Sequence, residues 1–162
     1  KYLSGGMGDG GGCHPRDNIA LSWLSDKLGL SFNWFDNIMK QREVQTEWLA
    51  DLIEEHSAGL PINILGKSFK PQTNITTGSP SILLNNILEE RGHAVFMWDP
   101  YVDGPFPTEY GEFDEPQCYF IGTKHEDFVN FPYEKDSIII DPWRFIPDIY
   151  NCKVIRIGDN NK

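Results

Sequence analysis

Two stretches near the start of the chain carry apolar residues at helical spacing, and beyond Gly59 and Pro61 short unbroken apolar runs alternate with further helical ones. In the first stretch Ile19, Leu21, Trp23, Leu24 and Leu28 predict a helix from about Asp17 to Leu28. Pro15, Asp17 and Asn18 are its start signals and Gly29 its stop. A second, longer helix opens at Ser31 or Asn33 and runs to about His56. Its apolar positions are Trp34, Phe35, Ile38 and Met39, then Trp48, Leu49, Leu52 and Ile53. Its middle, Lys40 to Glu47, is mostly polar, which suits either a solvated segment or a face lining a site or a partner subunit.

The remainder reads as strand and helix in alternation, the pattern of a mostly parallel sheet with crossover helices. Strands are predicted at Ile62–Leu65, Ala94–Trp98, Cys118–Ile121, Ser137–Ile140 and Val154–Ile157. Ser79 and Pro80 start a helix with Ile82, Leu83, Leu84, Ile87 and Leu88 as its stripe, and Gly92 lies just past its end. Residues 101–116, rich in Pro, Gly and acid, form a loop, and His125–Phe131 is a short helix or turn. Residues 1–12 are dominated by glycine and support neither a regular helix nor a central strand.

With 40% hydrophobic residues in 162, there is material for one core, and no run approaches the ~20 apolar residues of a membrane span. The formal net charge of −10 repels nucleic-acid backbones and anionic membranes, so neither is expected as a partner. A phosphate-bearing ligand would need local cations, for which Lys67, Lys70 and Arg144 are the candidates. Cys13, Cys118 and Cys152 share no metal-ligand spacing, and the four histidines are scattered, so no metal is expected. The odd cysteine count suits a reducing, cytoplasmic compartment.

Three constellations could carry chemistry. In Gly10-Gly11-Gly12-Cys13-His14-Pro15-Arg16-Asp17 a backbone free of side chains can approach a ligand closely. A cysteine there meets the positive end of the following helix, with Arg16 as a nearby cation and Asp17 able to handle a proton. By itself, however, a glycine run with one cysteine is more often a flexible linker. Gly66-Lys67-Ser68-Phe69-Lys70-Pro71 follows a predicted buried strand, where ligands of open α/β sheets bind, although it is neither a GxGxxG nor a P-loop. Lys70 suits a phosphate contact or a solvated loop. Asp141-Pro142-Trp143-Arg144 also follows a strand, and Arg144 can fork onto a phosphate or carboxylate, or lie on the surface stacked on Trp143. His125 reads as a helix-start or structural histidine.

In this order the pieces resemble the UDP-glucose/GDP-mannose dehydrogenase family. The cysteine loop is similar to the second half of the family's GFGGSCFPKD, and Asn63 to Thr73 to its "ILGlaFKpnT" segment. Ser79-Pro80-Ser81, Glu90-Arg91-Gly92-His93, Trp98-Asp99-Pro100-Tyr101-Val102 and Thr123-Lys124-His125-Glu126-Asp127-Phe128 continue the match. The resemblance implies an α/β fold, with a helical dimerisation segment followed by a Rossmann-like, mostly parallel sheet carrying helices on both faces. Residues 1–58 would form the cysteine loop and central helical region, and residues 59–162 the nucleotide-sugar domain. The family's NAD-binding domain precedes the cysteine loop and is not in this sequence, so the chain is expected not to turn over substrate alone.

The implied activity is a two-step, NAD-dependent oxidation of a nucleotide-sugar primary alcohol to a carboxylate. A UDP-sugar is favoured over a GDP-sugar, in a homodimeric enzyme. Cys13 and Asp17 match the catalytic residues; Tyr2, Gly10, Phe69, Lys70 and Arg144 match substrate contacts; Gly12, Arg16 and Thr77 match cofactor contacts. Thr77 stands where the family commonly has an arginine, Arg16 replaces a lysine and His14 a phenylalanine. The alternative is a module that keeps the fold for nucleotide-sugar binding or oligomerisation without catalysis.

Overall fold

Ile62–Leu65, bounded by Pro61 and Gly66, is buried at all four positions and forms the central strand β1. The computed structural model describes residues 6–8, 10–107 and 115–158. Around β1 lie β2 (Val95–Trp98), β3 (Cys118–Ile121), β4 (Ile138–Asp141) and β5 (Lys153–Arg156), all parallel, in the order β2-β1-β3-β4-β5. Ile62 pairs with Val95 on one side and Cys118 on the other, and Leu65 pairs with Trp98 and Ile121. The chain therefore leaves β1 in one direction and, after β2, returns to its other side. In open α/β sheets such a reversal is where ligands bind, here at the carboxyl ends of β1 and β3.

Because side chains alternate across a strand, the sheet carries two cores. On one face Ile62, Ile64, Cys118, Phe120 and Ile140 meet Leu49, Ala50 and Ile53 of α2 (Trp34–Ser57) and Leu84 and Leu88 of α3 (Pro80–Glu90). On the other, Leu65, Tyr119, Ile121 and Ile139 meet Trp98, Phe128 and Ile146. Helices were expected on both faces; the second is covered by one 3₁₀ turn, Glu126–Asn130, and by loops bearing Phe106, Phe131 and Tyr133. Aromatic rings at these positions cover the area that a longer helix would, meeting mostly edge to face, as Trp98 and Phe106 do at 5.0 Å.

Local signals explain the helix ends. Asn33 caps α2 by accepting from the Asp36 N–H, and Ser79 caps α3 with Pro80 at its first position. The first helix, α1, spans Cys13–Lys27 and so begins four residues before the expected Asp17. Pro15 falls within its first turn, where its missing N–H has no intrahelical acceptor, so the proline does not hold the helix back. The apolar residues of α1 point in several directions: Ile19, Trp23 and Leu28 are 59%, 62% and 65% exposed, and Ser25 is its buried residue. Strand limits differ from the expected ones by a residue at β2, β4 and β5. No helix among the described residues is long and apolar enough to cross a membrane.

Gly66 shows how closely this end of the sheet is built. Its φ of +107° is one that L side chains rarely adopt, and a Cβ there would sit 2.5 Å from the Thr123 backbone nitrogen. Gly66→Ala is therefore expected to cost roughly 3 kcal/mol, read as a lower urea midpoint. A midpoint equal to that of the wild type would mean the two loops are not held this tightly.

Candidate active site

Residues 66–72 leave β1 without joining a helix or a ladder, so their backbone groups need partners elsewhere. The Trp98 and Ile75 carbonyls accept from the Gly66 and Phe69 N–H groups (2.8 and 3.0 Å), and the stretch between is organised by Asp99, just past β2. Its Oδ2 accepts from the N–H of Lys67 (2.7 Å) and Ser68 (2.9 Å), from the Ser68 hydroxyl (3.0 Å) and from His125 Nε2 (3.1 Å), while Oδ1 accepts from the Tyr101 N–H (2.8 Å). Burial pushes this carboxyl up, but the His125 hydrogen bond and the Ser68, Lys67 and Tyr101 N–H groups more than offset that, holding it well below the usual carboxylate range. Thr123 Oγ1 donates to the Ser68 carbonyl at 2.6 Å, tying the loop to the end of β3.

On this platform Phe69 is half-buried, and Lys70 is exposed with Nζ 5.2 Å from the Phe69 ring centroid. The glycine run docks on the same surface. A Cβ on Gly10 would meet Phe69 Cβ at 3.3 Å, one on Gly11 the Phe69 ring at 3.0 Å, and one on Gly12 the Thr77 methyl at 3.5 Å. Gly11 N–H donates to the Gly78 carbonyl (3.3 Å), which also accepts from Arg42 (3.0 Å). A Cβ on Gly78 would lie 2.4 Å from the Gly11 oxygen, so glycine is required at 78, while Gly11 has a φ of +86° that L side chains rarely adopt. Cys13 follows directly as the exposed first residue of α1, whose Gly12 cap makes no side-chain hydrogen bond to the first turn.

A second acidic hub lies at the end of β4. The buried Asp141 accepts from four backbone N–H groups: Trp143 (2.9 Å) and Arg144 (3.0 Å) on Oδ1, Phe145 (2.7 Å) and Ile146 (2.8 Å) on Oδ2. These bonds hold Arg144 at φ +57°. Trp143 donates from Nε1 to the Ile121 carbonyl (3.0 Å), and its ring lies where a Cβ on Gly6 would stand.

The structure thus brings Gly10 and Gly11 against Phe69 and Gly12 against Thr77, with Cys13 next along the chain and Lys70 following Phe69. Arg144 lies on the neighbouring loop, exposed, with Nη1 3.4 Å from the Gly158 carbonyl. Arg16 pairs with Asp17 at the surface (2.9 Å). Lys67, a candidate phosphate cation, is instead bound to Asp103 (2.8 Å). Tyr2 lies outside the described residues. Sequence reasoning missed Asp99 and Asp141 as organisers. Asp99 directly follows β2 and Asp141 ends β4, each immediately before a proline, an Asp-Pro turn signal that would have marked them.

The five-stranded parallel fold is that of the nucleotide-sugar dehydrogenases. A UDP-glucose dehydrogenase from Pyrobaculum islandicum superimposes with a TM-score of 0.75 at 23% identity, over 93% of this chain and 38% of that one. A GDP-mannose dehydrogenase from Pseudomonas aeruginosa gives 0.74 at 21% identity, over 94% and 41%. No family model matches the chain. In sequence it is 31% identical over 161 residues to the UDP-glucose 6-dehydrogenase AglM of Haloferax volcanii, and 30% over 103 residues to TuaD of Bacillus subtilis, also a UDP-glucose 6-dehydrogenase. Its homologues are thus the UDP-glucose/GDP-mannose 6-dehydrogenases, and it spans 37% and 22% of the length of those two relatives.

Proposed function

We propose that this chain is the part of an NAD-dependent nucleotide-sugar 6-dehydrogenase that grips the nucleotide sugar and carries the reacting thiol. The observation behind this reading is the docking of the glycine run on Phe69 and Gly78, directly ahead of Cys13 in the chain and beside the residue that precedes Lys70. In a chain of net charge −10, an anionic ligand needs such a local cation. Residues 59–162 would hold the nucleotide, with Phe69, Lys70 and Arg144 as contacts and Tyr2 and Gly10 beside the sugar.

Oxidation of the primary alcohol would give an aldehyde. Cys13 Sγ would add to the aldehyde carbon, its oxygen taking a proton, to form a thiohemiacetal. Loss of hydride and a proton then leaves a thioester. Attack by water, with Asp17 taking up a proton, would release the carboxylate and free the thiol. NAD, when bound, supplies the hydride acceptor. Gly12, Arg16 and Thr77 would hold it, and the uncapped first turn of α1 with the adjacent arginine suits its anionic groups. The exposed Ile19, Trp23 and Trp34 support packing against a second copy, as in a homodimer. Three free thiols accord with a reducing cytoplasm.

Calorimetric titration with UDP-glucose and GDP-mannose tests the binding half of the proposal, and failure to bind any nucleotide would count against it. Alkylation by iodoacetamide tests the other half. Burial pushes the Cys118 thiol up to about 12 and also raises Cys152, whereas Cys13 is exposed. Mass spectrometry is expected to find Cys13 modified first, and more slowly once a nucleotide sugar is bound. Equal rates with and without ligand would place the sugar away from the thiol.

A further inference from the structure

The loop that carries Phe69 and Lys70 is fastened at both ends by groups that no ligand can reach. Ser68, Asp99 and His125 are 1%, 0% and 0% exposed. At the near end, four donors converge on Asp99 Oδ2, one of them His125 Nε2, whose single N–H is shared with Ser68 Oγ at 2.9 Å. At the far end, the Gln72 N–H donates to His125 Nδ1 at 3.4 Å. An imidazole that accepts at Nδ1 carries its proton on Nε2, which matches the donation to Asp99. The same ring therefore spans the loop from Ser68 to Gln72, with Phe69, Lys70 and Pro71 as the arch above it. Tyr101 stacks on its face (4.7 Å, 18°) and Phe128 meets it edge-on (5.5 Å).

We infer that Asp99 and His125 are positioning residues, which set the Phe69–Pro71 arch so that Phe69 stays against the cysteine loop and Lys70 faces an anion. On this account, affinity for a nucleoside diphosphate depends on an imidazole and a carboxylate that never touch it. Two physical effects couple them. A buried carboxylate that loses a donor keeps its charge and must recruit water or draw the loop inward. A loop that loses its Gln72 anchor, and is held beyond Ser68 by the Phe69 N–H to Ile75 carbonyl bond (3.0 Å), samples more arrangements, of which fewer present Lys70 correctly. The inference rests on reading residues 66–72 as the nucleotide grip.

The test uses the 162-residue chain, UDP as the probe, calorimetry for affinity and amide exchange for loop order, at a temperature where every variant is folded. His125→Ala is expected to weaken UDP binding by about tenfold, the loss of one charge-assisted contact, and to speed exchange at Lys67, Ser68 and Gln72. Ile64, Phe120 and Ile140 in the strands should remain protected. His125→Gln, whose amide nitrogen can again donate to Asp99, is expected to recover affinity to within about threefold and to slow loop exchange. Lys70→Ala should weaken binding with loop exchange unchanged.

If His125→Ala does not fold, Ser68→Ala removes one donor from the same oxygen and should weaken binding about threefold. Wild-type affinity in folded His125→Ala, or in the Ser68→Ala substitute, overturns the inference, as does a His125→Gln variant with restored melting temperature but no restored affinity. Failure of the wild type to bind UDP defeats the nucleotide reading and the affinity claim with it. The exchange measurement then decides separately whether His125 orders the loop.

Discussion

On the proposed mechanism, serine in place of Cys13 is expected to lower carboxylate formation by about a thousandfold or more in a full-length dehydrogenase carrying this segment. The substitution changes one atom at an exposed position, and a hydroxyl at the first residue of α1 is well tolerated, so folding should be unaffected. Sulfur is the better nucleophile toward an aldehyde and a workable leaving group when water attacks the thioester. A serine alkoxide is costly to form near neutral pH, and an ester is hydrolysed more slowly. Following NADH release and acid product together distinguishes the two oxidations. The first needs no thiol adduct, so aldehyde is expected to form while acid does not. Undiminished acid production would remove Cys13 from the chemistry.

The motifs of the candidate site were easier to read in the sequence than the hydrogen bonds that hold residues 66–72. Glycine spacing, Phe69-Lys70-Pro71 and Ser79-Pro80 are local patterns, and the strands around them show as short apolar runs. The start of α1 was misjudged because Pro15 and Asp17 imitate a helix start, although proline is at home in a first turn. The covering of the second face could not be read by periodicity, since Phe106, Phe128, Phe131 and Tyr133 do the work of a helix from irregular loops. The two aspartates escaped for a topological reason. Asp99 serves backbone groups 31 and 32 residues earlier, a partnership that exists only once β2 and β1 lie side by side. Periodicity reports which face a residue takes, whereas hydrogen bonds between strand ends require the sheet order.

Asp141→Ala is expected to be the most destabilising single change in this region, at roughly 3–5 kcal/mol, because four backbone N–H groups lose a charged acceptor together. Bonds to charged groups contribute about 1.5–3 kcal/mol each, but the loop reaches the surface and water can re-satisfy part of it, which keeps the total below their sum. Arg144 at φ +57° is stable only while its neighbours' N–H groups are gathered on one carboxylate, so the loop should relax and carry its guanidinium away. Trp143 would shift with it, removing the ring against which Gly6 lies. Asp141→Asn offers one carbonyl oxygen where there were two carboxylate oxygens, serving one pair of donors and opposing the other, and should fall between wild type and alanine. Urea unfolding of the three proteins gives the order directly. An alanine variant within about 1 kcal/mol of wild type would show that the loop is held by Trp143 and Ile146 packing, not by the carboxylate.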